Sequence, residues 1–521
     1  MSTVIVVGGG IGGLASAALL ARAGHEVTLL EAQATLGGRV GSWEKDGFRF
    51  DTGPSWYLMP EVFDHFYRLL GTSADEQLEV VNLDPGYRVY FEGIRDPLDV
   101  SANRAENLEL FERVRAGSGR RLDRYLKSAA LTYDLAKRYF LYTSFQSIRP
   151  LLKNEVVSRW PTLVRLLLTP LWSLASRTVR DDRLRKILGY PAVFLGASPY
   201  SAPSMYHLMS HLDLADGVLY PIGGFARVIQ SIADLAEAEG VTMLTSAKVT
   251  RIVVEHGAAT GVEYTDARGD SAALEADLVV SAADLHHSET ELLEPAQQTY
   301  PQAYWDKATP GPSALLVCLG VRGDLPQLEH HTLLFAKDWR RGFDAIFGPD
   351  PRVPTPPSLY VCKPSGVDSA VAPDGHENLF VLVPLPADPR FGRGGIGGKG
   401  DKAVEALADS VIAQIADWTG IDDLASRITL RRTIGPADFA HDLNAWRGTA
   451  LGPAHILKQS AMFRARNASR KVANLYFVGG STTPGVGLPM CLISAEVLLK
   501  RINGDTSTGP LPEPLARTAA S

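Results

Sequence analysis

The chain has 521 residues, enough to bury a large core and to divide into two or three domains. Charged residues make up 21% and hydrophobic residues 45%, the balance of a soluble globular protein. A formal net charge of −6, with no basic block anywhere, argues against electrostatic binding of nucleic acid.

Cys318, Cys362 and Cys491 are widely spaced and form no CxxC pair. Neither a disulfide framework nor a zinc site is expected, metal ligands are predicted nowhere, and a reducing compartment is the simplest reading. The opening "MSTVIVVGGG" has no basic n-region and no cleavage signature, so no signal peptide is expected. A spanning helix needs about 20 apolar residues. The nearest candidate, 160–179, is interrupted by Arg165, Pro170 and Arg177.

Val4 to Val7 reads as a buried strand, followed by "GGGIGGLASAALLARAG". Gly8, Gly10 and Gly13 form G-x-G-x-x-G: a tight turn, a close approach for a pyrophosphate, and a close contact of helix on strand. A helix is predicted from Ile11 to Ala23, its positive end favouring an anion. The next strand, Glu26 to Leu30, ends at Glu31, where a carboxylate suits ribose hydroxyls. An NAD-binding chain would continue into a helix. Here Gly37, Gly38 and Arg39 form a glycine-rich loop ending in a cation, then "GFRFDTGPSW" reads as a strand and turn. This extension resembles flavoproteins of the amine oxidase and carotenoid desaturase superfamily, which implies that Arg39 lies over the diphosphate.

Residues 105–190 read as helical. An ordinary amphipathic subdomain and a cap resting on a membrane surface both fit the pattern. Near 221 a second glycine-led unit begins, with a helix over Phe225–Glu239, a strand over Val241–Leu244, a hairpin turning near His256–Ala259, and a strand within 276–284. β-rich runs from about 300 to 460, with residues 80–100, read as a mixed sheet. Near the end, "NLYFVGGSTTPGVGLP" reads as strand Leu475–Val478, loop Gly479–Pro489 and helix Cys491–Lys500. That helix terminus suits the pyrimidine edge of a flavin ring. His286 and His287, and likewise His330 and His331, read as surface residues, and Asp438 reads as a structural carboxylate or the proton acceptor, with the structural role favoured.

Together, "VVGGGIGGLASAALLARAGHEVTLLEAQATLGGR", "FDTGPS", "YPIGG", "TIGPADFAHDLNAWRGTALG", "QSAMFRARN" and "LYFVGGSTTPGVGLP" resemble the bacterial and fungal type of phytoene desaturase, from about residue 3 to 502. The resemblance implies an α/β fold: a discontinuous Rossmann-like FAD-binding domain (1–75, 215–295, 465–503), a mixed-sheet substrate domain (76–104, 296–464), and a helical, membrane-associating cap (105–214). Composition suggests a disordered tail over 504–521. The resemblance implies FAD contacts at Gly8, Gly10, Gly13, Glu31, Gly38, Arg39, Gly53, Pro54, Val249, Gly479, Gly487, Leu488 and Pro489. It implies hydride transfer from an acyclic polyene such as phytoene to FAD, in a cytoplasmic protein docked peripherally on the membrane. Oxygen and a quinone both remain open as the electron acceptor. Related readings are a diapophytoene desaturase, a carotenoid ketolase or hydroxy-carotenoid dehydrogenase, and a retinol-saturase-like enzyme. From another class comes a non-catalytic isoprenoid-binding protein with a flavin fold. Two departures stand out: Thr483 where the resembled loop commonly has His, and Met490 where Gly is frequent. No catalytic acid or base is assigned.

Overall fold

The computed structural model describes residues 1–146 and 153–517. Three distant stretches of chain build one parallel sheet, ordered 475–477, 278–281, 3–7, 26–30 and 242–244. Val4 pairs with Leu278 on one side and with Val27 on the other, and Val280 pairs with Tyr476. The central strands 3–7, 26–30 and 278–281 are short runs rich in valine and leucine and largely buried, as parallel strands covered by helices must be. Helices Ile11–Arg22, Gly224–Ala238 and Leu488–Ile502 pack together over one face, with Leu14, Leu19, Val228, Ile232 and Leu498 in one core.

A second sheet of seven strands runs in the order 428–434, 313–322, 376–385, 359–362, 331–335, 87–91 and 94–100. Its pairs are antiparallel except 331–335 against 87–91, so the sheet is mixed. Helix Lys402–Thr419 covers it through Ala408, Val411 and Ile415. The region between the sheets' elements is helical: Arg104–Val114, Ser118–Ala136, Trp160–Leu168, Leu171–Thr178 and Asp182–Gly189. Residues 147–152 of the expected cap lie outside the described residues. No helix among the described residues is long and apolar enough to cross a membrane. The α/β fold with a discontinuous Rossmann-like sheet, a mixed sheet and a helical region is the one the sequence predicts.

The end of the chain differs from expectation. Residues 504–517 are not a disordered tail but lie against the protein, and 518–521 lie outside the described residues. The buried Lys500 Nζ donates to the carbonyls of Ser507 and Gly509 at 2.8 and 2.7 Å. The Leu515 amide donates to the Leu69 carbonyl, and Glu513 pairs with His65. Leu511 and Leu515 pack on the core, so this polar segment has anchors that its composition hides.

His330 and His331 are also corrected. They are buried in the mixed sheet, His331 completely, because that strand is covered on both faces. His286 and His287 are half-buried.

Candidate active site

A single cavity of about 810 Å³ is lined by the glycine loop at Gly8 and by the exposed side chains of Trp160 and Phe463. Gly8, Gly10, Glu31, Gly38, Arg39, Gly53, Pro54, Val249, Gly479, Gly487, Leu488 and Pro489 all line it. Gly13 does not. A Cβ there would stand 1.9 Å from the Gly8 carbonyl oxygen and 3.1 Å from Ala282 Cβ, so its place is between helix and strand.

Gly10 caps helix Ile11–Arg22 with no side-chain hydrogen bond, and a Cβ on it would meet only the Gly37 oxygen, at 3.8 Å. The free amides of the first turn therefore open towards the cavity, at the positive end of the helix dipole. Glu31 is buried, and its carboxylate accepts the Gly9 amide at 2.6 Å and the Gln33 amide at 2.8 Å. Those bonds fix its orientation and leave lone pairs for hydroxyl donors.

Arg39 is not a free surface cation. Its Nη2 lies 3.1 Å from Asp284 Oδ2, and its buried Nε has no partner among the described residues. Asp284, buried, also accepts the His286 amide as the N-cap of helix Leu285–Thr290. Sequence reasoning did not single it out, although "ADLVVSAAD" places an acid just past a parallel strand, where such a sheet binds ligands.

The C-terminal loop follows strand Leu475–Phe477 and enters helix Leu488–Ile502 at Gly487. Thr483 points away from the cavity and donates its hydroxyl to Asn467 Oδ1. The imidazole beside this loop belongs to His455, which lines the cavity. Its Nε2 accepts the Val486 amide at 3.1 Å, so Nδ1 carries the proton and donates to Tyr206 Oη at 2.8 Å. Burial, with Arg464 nearby, holds His455 well below the ordinary histidine range, hence neutral. Arg464 is itself buried and donates to the carbonyls of Gln459, Gly480 and Thr482, clamping the loop. Neither residue could be paired with the loop from spacing alone, though "QSAMFRARN" contains Arg464.

Asp438 Oδ2 accepts the amides of Gly394 and Gly435, each at 2.7 Å, a structural role. Ligand atoms of His330, His331 and Cys362 lie within 4.8 Å of one another behind the cavity wall. Burial pushes the Cys362 thiol up to about 12, so it is protonated at neutral pH.

The residues present could hold FAD: open helix-terminal amides and an incompletely paired Arg39 would suit its diphosphate, an oriented Glu31 its ribose, and a second helix terminus its ring. A glycine cradle at the carboxyl ends of a parallel sheet, joined to an apolar cavity, defines a flavin-dependent oxidoreductase. The chain matches the model of the flavin containing amine oxidoreductase family over residues 11–496, and it belongs to that family. Its cofactor is FAD. It is 42% identical to the carotenoid 3,4-desaturase of Haloarcula japonica, over 95% of this chain and 96% of that one. It is 35% identical to the zeta-carotene-forming phytoene desaturase of Myxococcus xanthus, over 96% and 93% of the two chains. An oxidoreductase from Methanosarcina mazei shares the fold at a TM-score of 0.59 and 18% identity, covering 96% of this chain and all of that one.

Proposed function

We propose that the protein is an FAD-dependent desaturase of acyclic carotenoids, acting on phytoene or a more conjugated acyclic relative. The observation that carries this reading is the cavity, apolar from the flavin cradle to a rim of exposed apolar side chains. Trp56, Tyr190, Phe194, Phe335 and Trp339 line it, offering a hydrocarbon a broad apolar contact. Bound FAD supplies the hydride acceptor that an unactivated allylic carbon requires. The chain's own residues align the polyene, exclude water and face positive charge on it with aromatic rings. The higher identity to a 3,4-desaturase than to a phytoene desaturase favours an already conjugated substrate as the second reading.

Two expression hosts separate the readings, one accumulating phytoene and one accumulating lycopene. New, longer-wavelength polyenes in the first host support phytoene desaturation, and in the second alone support action on a conjugated chain. Unchanged pigments in both, with FAD-loaded protein present, contradict desaturation.

Trp160, Val164, Leu168, Met462 and Phe463 are between 41% and 68% exposed, and Arg159, Arg165 and Lys458 flank them. This cluster supports peripheral docking on the cytoplasmic face of the membrane, where the substrate dissolves. In that position a quinone reaches the reduced flavin as readily as oxygen does, and anaerobic turnover with a quinone analogue distinguishes them.

A further inference from the structure

Desaturation of a hydrocarbon releases a proton as well as a hydride, and of the titratable groups on the cavity wall Glu31, Asp284 and His455 are already engaged by backbone amides. One side of its wall is an exception. Ser55 and Tyr360 both line the cavity. Ser55 Oγ lies 2.6 Å from Tyr360 Oη, and Tyr360 Oη lies 2.6 Å from His331 Nδ1. His330 continues the line, its ring centroid 4.5 Å from that of His331. Ser55 follows Gly53 and Pro54, so the chain of hydroxyls starts beside the expected flavin contacts.

We propose that Ser55, Tyr360 and His331 form the wire that carries away the proton lost in desaturation. The proposal rests on the desaturase reading. One C–H pair leaves as hydride to the oxidised flavin, so the polyene loses two electrons and becomes an allylic cation. The adjacent C–H bond then breaks heterolytically. Its electron pair becomes the new π bond, and its proton passes to Ser55 Oγ. The Ser55 hydroxyl proton moves to Tyr360 Oη, and the phenolic proton moves to His331 Nδ1, so each oxygen ends neutral.

Neutral hydroxyls suffice because a carbon-bound cation is a far stronger acid than any side chain. The terminus has a free lone pair in the resting protein, since burial holds His331 well below the ordinary histidine range. The groups near it are neutral as well: Tyr360 is pushed well up, Cys362 up to about 12, and His330 down to about 3, each chiefly by burial. Lys363 adds to the lowering at His330, and Asp368 opposes it. An imidazolium formed at His331 is stacked on the Trp56 indole, centroids 4.4 Å apart and planes 11° from parallel, the arrangement in which a ring face stabilises a cation. His331 is thus a transient carrier that gives the proton up again, not a store. With Nδ1 accepting from Tyr360, His331 Nε2 carries the ring's own proton, and an imidazolium formed there can release that proton from Nε2; Nε2 and both nitrogens of His330 have no partner among the described residues, and neutral His330 keeps one lone pair to accept it.

The test uses full-length FAD-loaded protein on polyene-containing vesicles, comparing wild type with Tyr360→Phe and Ser55→Ala. FAD content, melting temperature, turnover and the solvent deuterium isotope effect are measured for each. The expected result is wild-type FAD content and melting temperature in Tyr360→Phe, with turnover about 10²-fold lower and a solvent isotope effect, present in wild type, that disappears. A variant as fast as wild type, or one slowed with the isotope effect unchanged, overturns the wire. Should Tyr360→Phe lose FAD, Ser55→Ala, which removes only a hydroxyl, decides by the same two readouts. Wild-type protein that converts no acyclic polyene contradicts the desaturase reading instead, so the two failures are separate.

Discussion

The backbones of Gly12 and Gly479 meet: a Cβ on Gly12 would stand 3.2 Å from the Gly479 Cα. The first turn of helix Ile11–Arg22 and the turn after strand Leu475–Phe477 therefore share one wall of the cradle, although they lie at opposite ends of the chain.

That contact makes Gly12→Val a test of closure. The branched side chain forces the C-terminal loop away, an overpacking cost of about 1–3 kcal/mol. FAD affinity is expected to fall by roughly tenfold for each 1.4 kcal/mol, with the helix content seen by circular dichroism unchanged. Full FAD retention through gel filtration would show that the two turns are not coupled.

Gly485 and His455 are coupled in the same way. Gly485 has φ +143°, and a Cβ there would lie 2.2 Å from His455 Cε1. Gly485→Ala is expected to cost about 1–3 kcal/mol in strain and clash, read as lower FAD retention and melting temperature. Adding His455→Ala removes the clash but not the backbone strain, so the double variant recovers part of the loss. Strictly additive losses in this cycle would contradict the contact.

The docked C-terminal segment has a pH dependence of fixed sign. His65 Nε2 lies 2.9 Å from Glu496 Oε2, and Nδ1 pairs with Glu513. Burial pulls the His65 pKa down, but the hydrogen bonds and charges of Glu496 and then Glu513 outweigh it, and the net direction is up from 6.5. A raised folded-state value means the stabilisation is complete below the unfolded value and is lost as pH rises through the folded one. Proteolytic nicking near residues 505–517 should therefore accelerate as pH rises above 6.5 and through the raised folded value. His65→Gln should nick at a rate nearly independent of pH; an unchanged pH profile would assign the effect elsewhere.

The apolar rim yields a prediction independent of chemistry. Leu168→Glu with Phe463→Glu places two charges where side chains 68% and 61% exposed would enter lipid. Cosedimentation with anionic vesicles is expected to drop at least about tenfold, with FAD content unchanged. Equal cosedimentation would place the membrane contact on another face.

The sequence made the cradle legible because its signals are local. Strand, glycines and helix follow one another in Val4–Arg22, and Glu31 ends the next strand. The same holds for the loop at Gly479–Pro489, flanked by its own strand and helix. What escaped was assembled by tertiary contact. His455 reaches the loop where Thr483 turns away, Asp284 meets Arg39 from another strand end, and His331 meets Tyr360 across two strands of the mixed sheet. Adjacent polar residues such as His330–His331 read as surface because local pattern carries no record of a sheet covered on both faces. The docked tail was hidden for a related reason: much of what holds it is backbone carbonyls and amides met by distant residues such as Lys500 and Leu69, which its Gly, Pro and Ser content does not reveal.

The most direct measurement is anaerobic mixing of FAD-loaded protein with vesicles containing phytoene or lycopene, following the visible flavin absorbance and then extracting the pigments. The expected result is bleaching of the oxidised flavin in step with one new double bond per flavin reduced, with one of the two polyenes. Flavin that stays oxidised with both, in protein retaining full FAD, would contradict carotenoid desaturation.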